Sequence, residues 1–155
     1  MDKSKKFYSS LQESAIAKYL NWTQTSGSGA RPLYPGDIFS RNWLGECKTH
    51  ESPGHSIVFV FDVWDKIEKE ASSQFKNPAL FVDDGSQSIE KTWVMFKLQN
   101  YDPSLKCNVL DCTKSKSIRV SNNSPSYAQA FLRNNQMYVV MNLEAFKQYL
   151  EYEDK

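Results

Sequence analysis

A chain of 155 residues has room for one domain with a real hydrophobic core. Its 40% hydrophobic and 24% charged residues place it among globular proteins and exclude a disordered chain. A net charge of +1 excludes a histone-like basic surface, so any nucleic-acid partner has to be met by local positive potential.

The start, Met1-Asp2-Lys3-Ser4-Lys5-Lys6, leads into polar sequence without the apolar run of a secretory signal. The longest apolar run, residues 57–61, is far too short to span a bilayer. Three cysteines, an odd number, fit a reducing cytoplasm, which for a viral chain is the host's. Neither Cys107 with Cys112 nor His50 with His55 has zinc-site spacing, and these residues read as structural or incidental.

Residues 1–8 are expected to be a mobile basic start. Across residues 9–22, Leu11, Ala15, Ile16, Tyr19 and Leu20 recur at helical spacing, with Ser9 or Ser10 as N-cap and Gln12 or Glu13 as its capping-box partner. On the residues alone Glu13 is a capping or solvated acid. Residues 23–30 form a Gly/Ser-rich loop, open to two readings: a simple connector, or main chain that approaches a phosphate closely.

Residues 37–40 and 43–48 are predicted as the arms of a β-hairpin around Arg41-Asn42. A two-residue loop sets Ser40 opposite Trp43, Phe39 opposite Leu44, Ile38 opposite Gly45 and Asp37 opposite Glu46. Alternation then puts Glu46 and Lys48 on the face of Asp37 and Phe39, with Ile38, Trp43 and Cys47 on the other. Two acids facing each other destabilise a strand pair, whereas a divalent cation shared between them reverses the sign. Carboxylate oxygens suit Mg²⁺ or Mn²⁺, and a Lys beside water activated by such an ion points to phosphodiester hydrolysis. An acid-x-base triplet arises by chance about twice in a chain of this composition. Glu46-Cys47-Lys48 therefore draws its meaning from Gly36-Asp37 upstream and from the register that joins them. The plain alternative is a solvated hairpin with ordinary surface charges.

Downstream, Pro53-Gly54 marks a turn, and residues 57–61, unbroken in apolarity, are predicted as a central strand. Residues 62–75 read as a helix with Val63, Trp64, Ile67, Ala71 and Phe75 on its apolar stripe and Lys66 off it, either facing a ligand or paired with Glu70. Asn77-Pro78 ends that helix before a short buried strand at residues 79–82. Asp83-Asp84-Gly85 is expected to be a solvated turn in preference to a second metal site. Residues 93–98, 107–110, 118–120 and 137–141 are predicted strands, and residues 126–134 a short helix. Lys114 and Lys116, with Arg119, lie in a basic loop that tracks a phosphate backbone or merely solubilises a hairpin tip. Residues 143–152 are predicted as a helix capped by Asn142, with Leu143, Phe146, Tyr149 and Leu150 inward.

Pro35-Gly36-Asp37 followed by Glu46-Cys47-Lys48 resembles the motif of the PD-(D/E)xK, or restriction-endonuclease-like, nuclease superfamily. Glu13, Ile16 and Leu20, followed by Ser26-Gly27-Ser28-Gly29, resemble in spacing the first helix and loop of the archaeal-type Holliday junction resolvases within it. The resemblance implies an α/β fold with a restriction-endonuclease-like core: a mixed central sheet flanked by helices. The resemblance covers about residues 9–82; the length predicts one domain over residues 1–155, with the core at about 9–100 and a strand and helix elaboration at 101–155. The activity implied is Mg²⁺-dependent cleavage of DNA, with Mn²⁺ as substitute, most closely that of a junction or branched-DNA resolvase. Asp37, Glu46 and the Cys47 carbonyl would bind the metal, Glu13 would support it, Lys48 would act on water, and Lys66 would meet the phosphate. Ser26, Ser28, Arg31, Lys66, Lys114 and Lys116 would contact DNA. Symmetric cleavage implies a homodimer, for which Trp43, Trp64 and Tyr34 are candidate interface residues when they are not in the core. The alternatives are a restriction- or repair-type nuclease and a non-catalytic nucleic-acid-binding module on the same fold.

Overall fold

The computed structural model describes residues 3–25, 36–50, 52–54, 56–102, 104, 109–121 and 128–153, with side chains from Tyr8 onward. It is a mixed α/β structure. The main sheet has eight strands in the order β1 (Thr23–Gln24), β2 (Ile38–Phe39), β3 (Trp43–Lys48), β5 (Asn77–Asp83), β6 (Thr92–Lys97), β10 (Gln136–Asn142), β9 (Gln129–Arg133) and β7 (Leu110–Asp111). Neighbours are antiparallel except for the parallel pairs β3–β5 and β7–β9. The remaining strands, β4 (Ile57–Val60) and β8 (Ser117–Val120), form a separate antiparallel ribbon.

Alternation along the strands divides the core in two. On one face, Ile38, Trp43, Cys47, Phe81, Val94 and Phe96 pack under α1 (Lys3–Leu20) and α3 (Leu143–Glu153). On the other, Leu44, Leu80, Val82, Trp93 and Met95 pack under α2 (Phe61–Ser73) and the β4–β8 ribbon. Phe146 of α3 meets Trp43, Phe81 and Phe96 with ring centroids 5.3, 5.7 and 5.5 Å away. The first two are edge-to-face and the third tilted, and aromatic pairs of this kind add about 0.5–1.5 kcal/mol each beyond area burial. Trp43 and Trp64 are thus core residues and not interface material, at 7% and 0% exposure; Tyr34 lies outside the described residues. Among the described residues no helix is long and apolar enough to cross a membrane.

Several predicted elements form where expected. The hairpin closes through Ser40 N–H to the Trp43 carbonyl at 3.0 Å, with Ile38 opposite Gly45 and Phe39 opposite Leu44. Asn142 caps α3, its Oδ1 accepting from the Ala145 amide at 2.8 Å. Gly36 has a φ of +83°, a backbone that proline, fixed near −65°, cannot adopt, which accounts for glycine directly before Asp37.

Other expectations are corrected. The first helix begins at Lys3, so there is no loose start over the described part of residues 1–8, and Ser9 and Ser10 are interior residues, not caps. Leu11 is exposed while Gln12 and Glu13 are buried beside Ile16 and Ala17. Residues 57–60 are not a central strand; only Ile57 and Phe59 are buried, Val60 is exposed, and the partner is β8. A short apolar run conceals which of its faces is covered. Phe75 leaves the helical stripe because α2 ends at Ser73 and Phe75 turns to φ +58°, leaving it 97% exposed. In place of a helix, residues 129–133 are strand β9, joined to β10 through Asn134 and Asn135. Both have positive φ, as a two-residue hairpin turn needs. There, sheet pairing overrides the helix propensity of Ala130 and Leu132. Asp83 and Asp84 are buried, not solvated: Asp83 Oδ1 accepts from Thr49 Oγ1 at 2.6 Å and from the Gly85 amide at 3.1 Å.

Candidate active site

The hairpin and α1 bring three acids together at the β2 edge of β3. Asp37 sits just before β2; its amide donates to the Gly45 carbonyl at 2.8 Å, and its carbonyl accepts from the Thr25 amide at 2.9 Å. Its Oδ2 accepts from the Cys47 amide at 2.9 Å, so the side chain takes the place that the next β2 residue would fill in the ladder. A strand residue turns its N–H and C=O toward the same neighbour. The Cys47 carbonyl therefore leaves β3 on the edge that Asp37 occupies. The Cys47 side chain points the other way, into the core, where burial pushes its thiol well up.

Glu46 and Lys48 lie on the opposite face from Cys47. Lys48 Nζ is 3.5 Å from Glu46 Oε1, with Lys48 half exposed and Glu46 largely covered. Glu13 comes from α1. It is 6% exposed, accepts from Gln24 Nε2 at 3.2 Å, and lies near enough to Asp37 for the two carboxyl groups to interact.

The electrostatics follow from this crowding. Burial, and then the charge of Asp37, lift both Glu13 and Glu46 to about 7. Burial also raises Asp37, against the lowering effect of the Cys47 amide and the Lys48 charge. Lys66, in α2, lowers Asp37 and Glu46 through its charge, while Glu70 raises Glu46. The cluster holds more negative charge than its neighbours neutralise, and a cation would relieve that excess. Among the described residues no group of three or more His, Cys, Asp and Glu side chains forms a ready-made metal cage. A hydrated Mg²⁺ needs only one or two carboxylates, and Asp37 and Glu46 with a main-chain oxygen are the groups that could offer them.

The sequence-predicted residues divide accordingly. Asp37, Glu46, Lys48 and Glu13 come together, with Lys66 close enough to act on the acids through its charge. Lys116 accepts from the Phe61 amide at 3.0 Å through its main chain. That places the Lys114–Lys116 turn beside the first turn of α2, about 8 Å along the helix axis from Lys66. Ser26, Ser28 and Arg31 lie outside the described residues.

Sequence reading missed Gln12, Gln24, Thr25 and the Thr49–Asp83 pair. Gln24 steadies Glu13, Thr25 steadies Asp37, and Gln12 donates from Nε2 to the Lys48 carbonyl at 2.7 Å. One signal was available: Gln12 and Glu13 precede Ile16 and Ala17 by four residues, so a helix starting earlier than Ser9 carries them on its buried face.

The molecule is therefore an α/β protein built on a mixed eight-stranded sheet, with a cluster of largely covered acids and one lysine toward the C-terminal end of β3. No family model, curated protein or solved structure matches the chain.

Proposed function

We propose that the chain is a divalent-cation-dependent nuclease with a restriction-endonuclease-like core, acting on DNA as a homodimer. The observation that carries this reading is the convergence of Glu13, Asp37 and Glu46 with Lys48 3.5 Å from Glu46. A hairpin of purely structural purpose gains nothing from buried acids set against one another.

Asp37, Glu46 and the Cys47 carbonyl would hold Mg²⁺ or Mn²⁺, with Glu13 behind them. The ion would supply Lewis acidity, polarising the phosphoryl oxygens and making water a stronger nucleophile. Lys48, as an ammonium, orients the attacking water and steadies the charge that develops on the phosphate. Lys66 binds a non-bridging phosphate oxygen, and Lys114 and Lys116 extend the contact along the DNA backbone. The junction-resolvase form of this reading rests on the spacing of Glu13, Ile16 and Leu20 and on the Ser/Gly segment that follows.

The test is cleavage of a four-way junction and a linear duplex of the same sequence, with and without Mg²⁺ or Mn²⁺. Glu46→Gln and Lys48→Ala should each lower kcat by about 100-fold or more. Equal cutting of both substrates leaves a restriction- or repair-type nuclease and removes the resolvase. No cleavage by the unmodified chain, with DNA affinity indifferent to both substitutions, leaves only a binding module.

A further inference from the structure

Gln12 is a buried polar residue whose two ends fare differently. It is 2% exposed, and its Nε2 donates to the main-chain carbonyl of Lys48 at 2.7 Å. A carbonyl only accepts, so this bond fixes the orientation of the amide. Its Oε1 is then left buried with no partner among the described residues. An unpartnered buried acceptor is costly, and an apolar side chain at this place on α1, one turn before Ile16, would avoid that cost. What Gln12 contributes is therefore its one bond to Lys48.

Lys48 is where such a bond matters. Its side chain is 54% exposed, and its ion-pair partner Glu46 is 3.5 Å away. With half of the side chain exposed, the placement of the Lys48 main chain sets which positions the ammonium can reach. The next residue is held as well: Thr49 Oγ1 donates to Asp83 Oδ1 at 2.6 Å, and Asp83 is set in turn by the Gly85 amide at 3.1 Å. The chain leaving β3 is thus gripped from α1 on one side and from the end of β5 on the other.

We propose that Gln12 is a positioning residue for Lys48, directing its ammonium over Glu46 and the substrate phosphate by tying the Lys48 carbonyl to α1. Gln12 does not touch the reacting atoms. The catalytic consequence rests on the nuclease reading above; the clamp itself does not.

The experiment compares the full chain with Gln12→Met, which removes the donor at similar volume, and Gln12→His, whose ring N–H reaches a similar distance. Gln12→Asn, polar but too short, replaces the Met variant should that one fail to fold. Thermal midpoint, Mn²⁺ affinity, amide exchange at Lys48 and Thr49, and steady-state cleavage are measured on each. Gln12→Met should keep the midpoint and the Mn²⁺ affinity, speed exchange at Lys48 and Thr49, and lower kcat by about tenfold or more at unchanged KM. Gln12→His should recover most of both losses. Unchanged exchange, unchanged kcat, or a loss of kcat that follows Mn²⁺ affinity or the midpoint overturns the inference. Failure of the unmodified chain to cut any DNA sinks the nuclease reading instead, and exchange alone then decides whether the clamp exists.

Discussion

Glu46 and Glu13 carry opposite consequences for stability and for chemistry. Each titrates near 4.5 when the chain is unfolded and about 7 when folded, so the folded protein binds more protons between those values. Stability contributed by these groups is full below about pH 4.5 and is lost as pH rises through about 7. Without metal, the urea midpoint should fall between pH 5 and pH 8, and Mg²⁺ should flatten that slope by binding the ionised acids. Glu46→Gln removes a buried charge, so at pH 8 it should stabilise the metal-free protein, by on the order of 2 kcal/mol, while silencing cleavage. A solvated surface glutamate would show neither effect, so a flat pH profile sinks the crowded-acid description. At this scale Asp37, Glu46 and Lys48 were legible in the sequence because strand alternation is a local rule. Gln12 and Gln24 were not, because their partners lie 36 and 11 residues away.

The hairpin is the element that turns sequence spacing into geometry, and Gly45 lets it pack. A Cβ there would stand 2.6 Å from the Phe81 ring and 3.0 Å from Ile38, its partner in the ladder. Gly45→Ala should therefore cost about 1–3 kcal/mol, read as a lower urea midpoint. Relief requires the Phe81 ring and the Ile38 side chain to shift, and a shift passed on through Ile38 to β2 should also weaken Mn²⁺ binding through Asp37. Full Mn²⁺ affinity in a destabilised Gly45→Ala would show that Asp37 is held independently of the ladder. Hairpin register and the α3 cap were predictable because turn length and a capping asparagine act within a few residues. The ribbon β4–β8 and strand β9 were not, since an apolar run or a helix-favouring segment takes its form from the surface that covers it.

At the scale of the whole molecule, the sheet joins residues 23–142, and α3 closes one face through Phe146, which is fully buried against rings from β3, β5 and β6. Phe146→Ala should cost about 3–5 kcal/mol and lower the unfolding midpoint equally by fluorescence and by far-ultraviolet circular dichroism. Noncoincident transitions would show instead that the C-terminal helix unfolds on its own. The sequence alone determined that the chain is a folded α/β protein, that residues 37–48 turn back on themselves, and which side chains of that hairpin share a face. These follow from period, turn length and side-chain volume, all properties of neighbouring residues. Only the tertiary structure decided that α1 lays Glu13 beside Asp37, that β3 runs parallel to β5, and that Glu13 and Glu46 are covered enough to be lifted to about 7. Burial and charge crowding depend on segments far apart in the chain, and no local pattern encodes the distance between them.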